Sequence, residues 1–520
     1  MAVAAEEQPF QMPPLVIDDY NWKTSKTDAS VRERRVNGAE AIVGDKQLNA
    51  AGSLDLYLIS SVRFANASLT LSQLKAKLER VLVKLRFEHP EIGQTVLWEE
   101  DHVLPLIQYK PLKSSEDALA WARKLVRVRA STQTGFDIRT ETEVKRHQEG
   151  GINPALPIDI DIVAPVSGLD AALGLVDVEF VFHSNHLYVD GISKRMLVND
   201  IFSYLGDEIS ASSTGELPVF KWGEEVQNLG APVLTLLKAG IQLCGPSFDE
   251  ATRKHLENAI KGMQNYGPNA KEGHGLPRTI FHTFTKEESD AIYKAVKTKV
   301  GPSASPAHLG HAAVFLSLLK SSPPSDDTPD TQVYVSQSPV NGRRFLENPQ
   351  KHAKTYYPVT QSTCPVLYGN IKQYEIANAS KEMWDEYLLT ATKIAKETYD
   401  QRLANPAALP ISINFHNLIG FLQASGTLPQ SSMTAPMFTS DGVNETYIQR
   451  EINDKAGNIV ITVNTVRFFL SQHMTFMSIR LDSWRGRSAL SLSYNDGTYT
   501  DEEASEFLKD TVSFMLQFTQ

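Results

Sequence analysis

Only two cysteines, Cys244 and Cys364, occur in 520 residues. Two distant thiols cannot make a disulfide framework, so the expected compartment is a reducing one. Long apolar runs are also missing. The nearest to the roughly 20 residues a spanning helix needs is Val233 to Cys244, and Lys238 interrupts it. Met1 to Pro14 contains Glu6 and Glu7 and no apolar core of a signal peptide, so the expected location is cytoplasmic, with no membrane association. Positive charge is in deficit: 51 Lys and Arg stand against 61 Asp and Glu, a net charge of −10. That argues against a non-specific nucleic-acid binder, which would carry a basic stripe. A Walker loop, a Gly-rich dinucleotide turn after a strand and a Gly-x-Ser-x-Gly elbow are all absent, which leaves nucleotide-cofactor and serine-hydrolase chemistry without an anchor.

What is present is a soluble globular composition, 42% hydrophobic and 22% charged, in a chain too long for one core. Strands are expected at Asp55 to Phe64, twice within Thr95 to Pro111, and at Ile158 to Val163, Val176 to Phe182, Thr279 to Phe284, Thr331 to Gln337, Val366 to Tyr374, Ile459 to Phe469, Thr475 to Asp482 and Ser488 to Tyr494. Helical spacing predicts helices over Leu69 to Phe87, Ser114 to Val128, Ile192 to about Ile209, Val233 to Cys244, Glu250 to Tyr266, Thr285 to Lys299, Pro306 to Leu319, Ser380 to Leu403 and Asp501 to Phe518. Residues up to 45 read as a polar surface arm, Ser321 to Asp330 as a disordered turn, and Trp484-Arg485-Gly486-Arg487 as a hairpin turn. Breaks at Ser210 to Gly215 and Asn265 to Pro277 divide the chain into 1–215, a helical connection 216–278, and 279–520, two α/β domains of related design.

The most informative stretch is His183-Ser184-Asn185-His186-Leu187-Tyr188-Val189-Asp190-Gly191. It lies between a continuous apolar run, read as a buried strand, and an amphipathic helix. A neutral imidazole at such a turn can take a proton from an alcohol and return it to a leaving group. Asp190, four residues later, is placed to brace the loop, which requires a cationic partner from elsewhere. Gly191 lets the backbone turn and another group approach. The same residues also describe a core histidine followed by an Asp-Gly turn.

The run His186-x-x-x-Asp190-Gly191 resembles the signature of the CoA-dependent acyltransferase superfamily. That superfamily includes BAHD-type and polyketide-associated acyltransferases, chloramphenicol acetyltransferase and the condensation domains of peptide synthetases. Pro339-Val340-Asn341-Gly342-Arg343 is similar to the Gly-Arg turn in their second half, and Ser488 to Phe518 to their carboxy-terminal end. The resemblance runs from about Asp55 onward. Within the superfamily the chain resembles the fungal trichothecene acetyltransferases, those acting on the 15-hydroxyl in particular. The resemblance implies two chloramphenicol-acetyltransferase-like α/β sandwiches with an active-site tunnel between them. It implies His186 as general base, Asp190 as its structural brace, Arg343 (Arg344 as second choice) as the partner of Asp190, and Gly191 as room for the acyl donor. It also implies acetyl-CoA as co-substrate, no tightly bound cofactor, a small hydroxylated apolar acceptor such as a trichothecene, and a monomer. Two other readings stay open: a condensation-like enzyme with a carrier-bound donor, and a silent ligand-binding relative.

The chain departs from its relatives in two ways. Asn185 stands where condensation domains carry a further histidine, and the BAHD Asp-Phe-Gly-Trp-Gly run is missing, so no role passes to Trp484. The oxyanion stabiliser is unassigned. His183, His186 and Asp190 as metal ligands would lack a further ligand. His308 and His311 read as a packed helix face, and Lys286, Lys294, Lys297 and Lys299 as a solvated one.

Overall fold

A computed structural model describes residues 14–99, 103–150, 156–211, 219–263, 265–271, 273–347, 356–374, 376–427 and 434–520. The apolar run before the motif forms the strand Val178–Ser184, nearly all of it buried. It lies inside a six-stranded sheet whose order is Glu451–Asn453, Ile459–Leu470, Leu56–Phe64, Val178–Ser184, Asp159–Ala164, Val126–Ala130. All neighbours are antiparallel except the last pair. One face of this sheet packs on helix Leu71–Glu88 and the motif helix Gly191–Ser210. The other carries Tyr57, Ile59, Val163, Val181 and Phe469 against helix Gly135–Gln148. Two of its strands, Glu451–Asn453 and Ile459–Leu470, come from the carboxy-terminal part of the chain, so this sheet does not respect the two halves of the sequence.

A second, four-stranded sheet follows the order Met437–Val443, Ser478–Trp484, Arg487–Asn495, Pro277–Thr283. It shares a core with helices Pro306–Ser321, Lys381–Ala404 and Asp501–Gln517. Strands Tyr334–Asn341 and Gln361–Tyr368 pair on their own and end at Gly342–Phe345, a single helical turn. The result is the expected mixed α/β architecture of sheets covered by helices.

Several expectations need correction. Helix Ser115–Leu125 stops earlier than its spacing implies, because Val126–Ala130 leaves it to join the large sheet. Val233 to Cys244 is only one helical turn, Val233–Leu236, and Gly240 and Gly245 then take φ of 83° and 99°. The strand expected at Val366 to Tyr374 runs from Gln361 to Tyr368. Residues 14–45 are no loose arm: Arg32–Arg35 pairs with Leu106–Tyr109, and Arg34 makes a buried ion pair with Glu40 at 2.7 Å. Ser321 to Asp330 contains a turn closed from Thr328 to Ser325 at 3.0 Å. Helices Gly135–Gln148 and Ala408–Ala424 and strand Met437–Val443 lie where no element is expected. Part of the break at Ser210 to Gly215 lies outside the described residues. The hairpin at Arg485-Gly486 is as expected: φ of 52° and 73° at its two central residues matches a type I′ turn.

Candidate active site

The loop 185–190 is held from three directions. Asn185 Oδ1 accepts from the backbone N–H of Leu187 and from Asn49, each at 3.0 Å, and its amide donates to Asp55 at 2.7 Å. Asp55 also receives His183 Nε2 at 2.7 Å and Arg146 at 2.9 Å. Arg146 belongs to the unexpected helix Gly135–Gln148 and also approaches Glu143 at 3.4 Å. His183 stacks on Tyr57 with centroids 4.5 Å apart. It is thus committed to the back of the loop and turned away from any metal role. No group of residues that could hold a metal ion exists among the described residues.

Asp190 closes the loop at its other end. It caps the motif helix, Oδ1 accepting from the N–H of Ile192 and Ser193 at 3.0 and 2.8 Å. A capping box is completed by the Asp190 N–H donating to Ser193 Oγ. Arg343 Nη1 donates to both carboxylate oxygens, at 3.2 and 2.9 Å, and the Thr360 N–H donates to Oδ2 at 2.8 Å. Arg343 is oriented in turn by the carbonyls of Tyr356 and Pro358. Arg344 is exposed. Burial pushes the Asp190 carboxyl up, but Arg343 and the two backbone donors outweigh it and hold the group below the usual carboxylate range. The turn itself is made by Asp190, with φ −97° and ψ 175°. Gly191 is already helical without a positive φ, so the break does not need a glycine's conformational freedom. A Cβ there would lie 3.4 Å from the Phe468 ring.

His186 lies between these two anchors. Its Nδ1 is sealed from solvent and has no hydrogen-bond partner among the described residues. The imidazole keeps a partly exposed edge, and that edge carries the other nitrogen. Burial is the main influence lowering its pKa. Arg480 lowers it further, while its own carbonyl, Asp190 and Asp55 act the other way. The balance favours a neutral ring with one nitrogen open to a reactant.

A second set of ties joins the motif helix to the second sheet. Arg195, fully buried, donates to the Gly191 carbonyl at 2.7 Å, to Asn444 at 2.6 Å and to Asp441 at 2.7 Å, with Asp482 at 3.5 Å. Asp441 also receives Arg480. Both guanidinium groups lie over Phe468, at 4.2 and 4.6 Å from its centroid. A cavity of about 480 Å³ lined by Arg86, Trp121, Leu125 and Pro157 includes no motif residue.

The chain matches the model of the family described as 15-O-acetyltransferase Tri3 over residues 12–420. It belongs to the Tri3 family. Its similarity to Trichothecene O-acetyltransferase TRI3 of Trichoderma arundinaceum is 38% identity, over 98% of this chain and 99% of that protein. The solved structure of TRI3 trichothecene 15-O-acetyltransferase from Fusarium sporotrichioides superposes with a TM-score of 0.91 at 34% identity, over 98% of this chain and all of that one. Polyketide synthase associated protein 5 from Mycobacterium tuberculosis shares the fold alone, with a TM-score of 0.55 at 12% identity over 93% of this chain and 99% of that one. This Tri3 chain is therefore of the O-acetyltransferase class, with the fold of the wider acyltransferase and condensation group. No helix among its described residues is long and apolar enough to cross a membrane.

The remaining sequence candidates find ordinary explanations in this Tri3 chain. His308 Nδ1 accepts from the Ser305 N–H, and buried His311 meets Tyr399 at 3.1 Å. Lys286 pairs with exposed Asp290 within one helical turn, and Lys297 and Lys299 bind backbone carbonyls. Trp484 donates to the Asn464 carbonyl at 3.0 Å. Sequence reasoning missed Asp55, Arg146, Arg195, Asp441 and Arg480. The capping box of Thr134 and Asp137, which opens the helix carrying Arg146, was the one signal that could have led to any of them.

Proposed function

We propose that the chain transfers acetyl from acetyl-CoA to the 15-hydroxyl of a trichothecene sesquiterpenoid, with His186 as general base. The observation that carries this reading is the open nitrogen of His186, set in a loop locked on both sides. The neutral ring takes the hydroxyl proton as the acceptor oxygen attacks the thioester carbonyl. The tetrahedral intermediate collapses with loss of the thiolate, which takes the same proton back. No covalent acyl-enzyme is needed. Asp190 touches no reactant: joined to Arg343, it fixes the loop and the motif helix, and Gly191 leaves the donor an unobstructed approach. On this reading 1–215 carries the base, 216–278 connects, and 279–520 supplies Arg343. Acceptor and acetyl-CoA enter a tunnel between them from opposite ends. The enzyme works as a cytosolic monomer, holds no resident cofactor, and the acetyl group is the one transferred. The similarity to trichothecene O-acetyltransferases supports this choice of acceptor.

The test is release of free CoA thiol from acetyl-CoA with a panel of alcohols including a 15-hydroxy trichothecene, for the wild type and His186→Ala. Acceptor-dependent release should fall by about 10²–10⁴-fold in the variant, with unfolding unchanged. A folded protein that binds acetyl-CoA but acetylates none of the alcohols would have a different acceptor. One that does not bind acetyl-CoA at all would be a carrier-dependent enzyme or a silent relative.

A further inference from the structure

Strand Ser478–Trp484 has two unlike faces. Ile479 and Leu481 enter the second core, while Ser478, Arg480 and Asp482 face the other way. Arg480 sits in register between Thr439 on one neighbouring strand and Ser491 on the other. All of Thr439, Ser478, Arg480 and Ser491 are at most 8% exposed. The three hydroxyls make no hydrogen bond among the described residues, and none of their oxygens is among the polar atoms sealed from solvent without a partner. A polar row facing away from the second core and towards the motif helix is what a wall for a polar reactant requires.

Arg480 is the charged member of that row, and it is held rigidly. One nitrogen, Nη1, donates to Asp441 Oδ2, the same oxygen that accepts from Arg195 Nη2 at 2.7 Å. The guanidinium lies 4.6 Å from the centroid of Phe468, whose ring would stand 3.4 Å from a Cβ on Gly191. Nε and Nη2 have no hydrogen-bond partner among the described residues. Arg195, which shares Asp441 and the Phe468 ring with Arg480, donates to the Gly191 carbonyl at 2.7 Å, so Arg480 is tied to the end of the motif, and its charge disfavours the protonated His186 ring. The other charges acting on His186 are already engaged, Asp190 by Arg343 and backbone donors and Asp55 by Arg146, His183 and Asn185. A rigid cation with free N–H groups, tied to the end of the motif that carries the base, is suited to the place where negative charge develops.

We propose that Arg480 is the catalytic residue that stabilises the oxyanion, donating from its unpaired guanidinium edge to the thioester oxygen of acetyl-CoA during transfer. This rests on the acetyl-transfer reading above. As the acceptor C–O bond forms, the acceptor proton passes to His186 and the carbonyl π pair moves onto the thioester oxygen. That oxyanion meets the Arg480 N–H groups. The pair returns as the C–S bond breaks, and the thiolate takes the proton from His186.

The experiment measures kcat, KM for acetyl-CoA and the pH profile of kcat/KM for wild type, His186→Ala, Arg480→Met and Arg480→Lys, with unfolding midpoints for each. Arg480→Met should lower kcat by about 10²–10³-fold with KM for acetyl-CoA within about threefold. Its acid limb should move to higher pH, because losing the cation raises the pKa of His186. Arg480→Lys keeps the charge and the Asp441 pair, so it should fold and leave the acid limb in place while losing about tenfold or more in kcat. A wild-type kcat in either folded variant overturns the role of Arg480; if Arg480→Met does not fold, Arg480→Lys decides alone. If the wild type itself shows no acceptor-dependent release, the acetyl-transfer reading has failed instead.

Discussion

At Asp190, two carboxylate oxygens serve two backbone donors of the motif helix, one backbone donor from Thr360 and the guanidinium of Arg343. Asp190→Asn would point an amide N–H at one of these donors and leave Arg343 buried without its anion. The expected loss is about 3–5 kcal/mol, read from urea midpoints, and turnover should fall with it. The carboxyl is held below its unfolded value of about 4, so its stabilisation is complete above that pH and is lost as pH falls through the folded value. The gap in stability between wild type and Asp190→Asn should therefore narrow between pH 6 and pH 3; a constant gap would contradict the pairing. His186 and Asp190 stand out in the sequence because a buried strand, a turn and a helical period isolate them, whereas Arg343 is reached only through the family resemblance, and its pairing with Asp190 is present in the structure. Asp55, Arg195, Asp441 and Arg480 were not legible in either way. Each is an ordinary charged residue whose partner lies far along the chain, and spacing says nothing about such pairs.

Elements were legible where one face is apolar and the other wet, as in Leu71–Glu88, capped by Thr70. Helix Gly135–Gln148 turns Arg139, Glu143 and Arg146 inward. The charged side chains it buries erase the apolar stripe on which helical spacing depends. Helix Ala408–Ala424 fails the same test from the opposite side: it is apolar nearly all round and buried over most of its length. Its Gly420 sets two opposing effects against each other. Replacing a mid-helix glycine by alanine gains up to about 1 kcal/mol in propensity, but a Cβ there would stand 2.5 Å from the backbone carbonyl of Ala41. Backbone cannot yield as a side chain can, so overpacking of about 1–3 kcal/mol should prevail. Gly420→Ala is expected to lower the melting temperature; a rise would show that helix Ala39–Val43 gives way freely.

Five histidines, His186, His255, His308, His311 and His416, are held neutral chiefly by burial, His308 and His416 down to about 4 and His311 to about 3. Unfolding frees them to protonate near 6.5. Stability is therefore full above that pH and is lost as pH falls, each group adding up to about 1.4 kcal/mol per pH unit. Urea midpoints should hold above about pH 7 and fall as the pH drops from about 6.5 to 5, and a flat profile across that lower range would contradict this. The two halves should also fail separately. Residues 1–278 alone lack Glu451–Asn453 and Ile459–Leu470, leaving the apolar strand Leu56–Phe64 without its outer neighbour. That fragment should be insoluble by itself and recoverable on co-expression with 279–520; a soluble, cooperatively melting fragment would refute the dependence. The same crossing strand sets a clock. Ser60 bonds Thr465 across 405 residues, and a ribosome adding about 5–20 residues per second needs about 20–80 s to supply the second from the first. For that interval the nascent sheet carries a bare adhesive edge, and chaperone supply during translation becomes a determinant of how much enzyme a cell obtains.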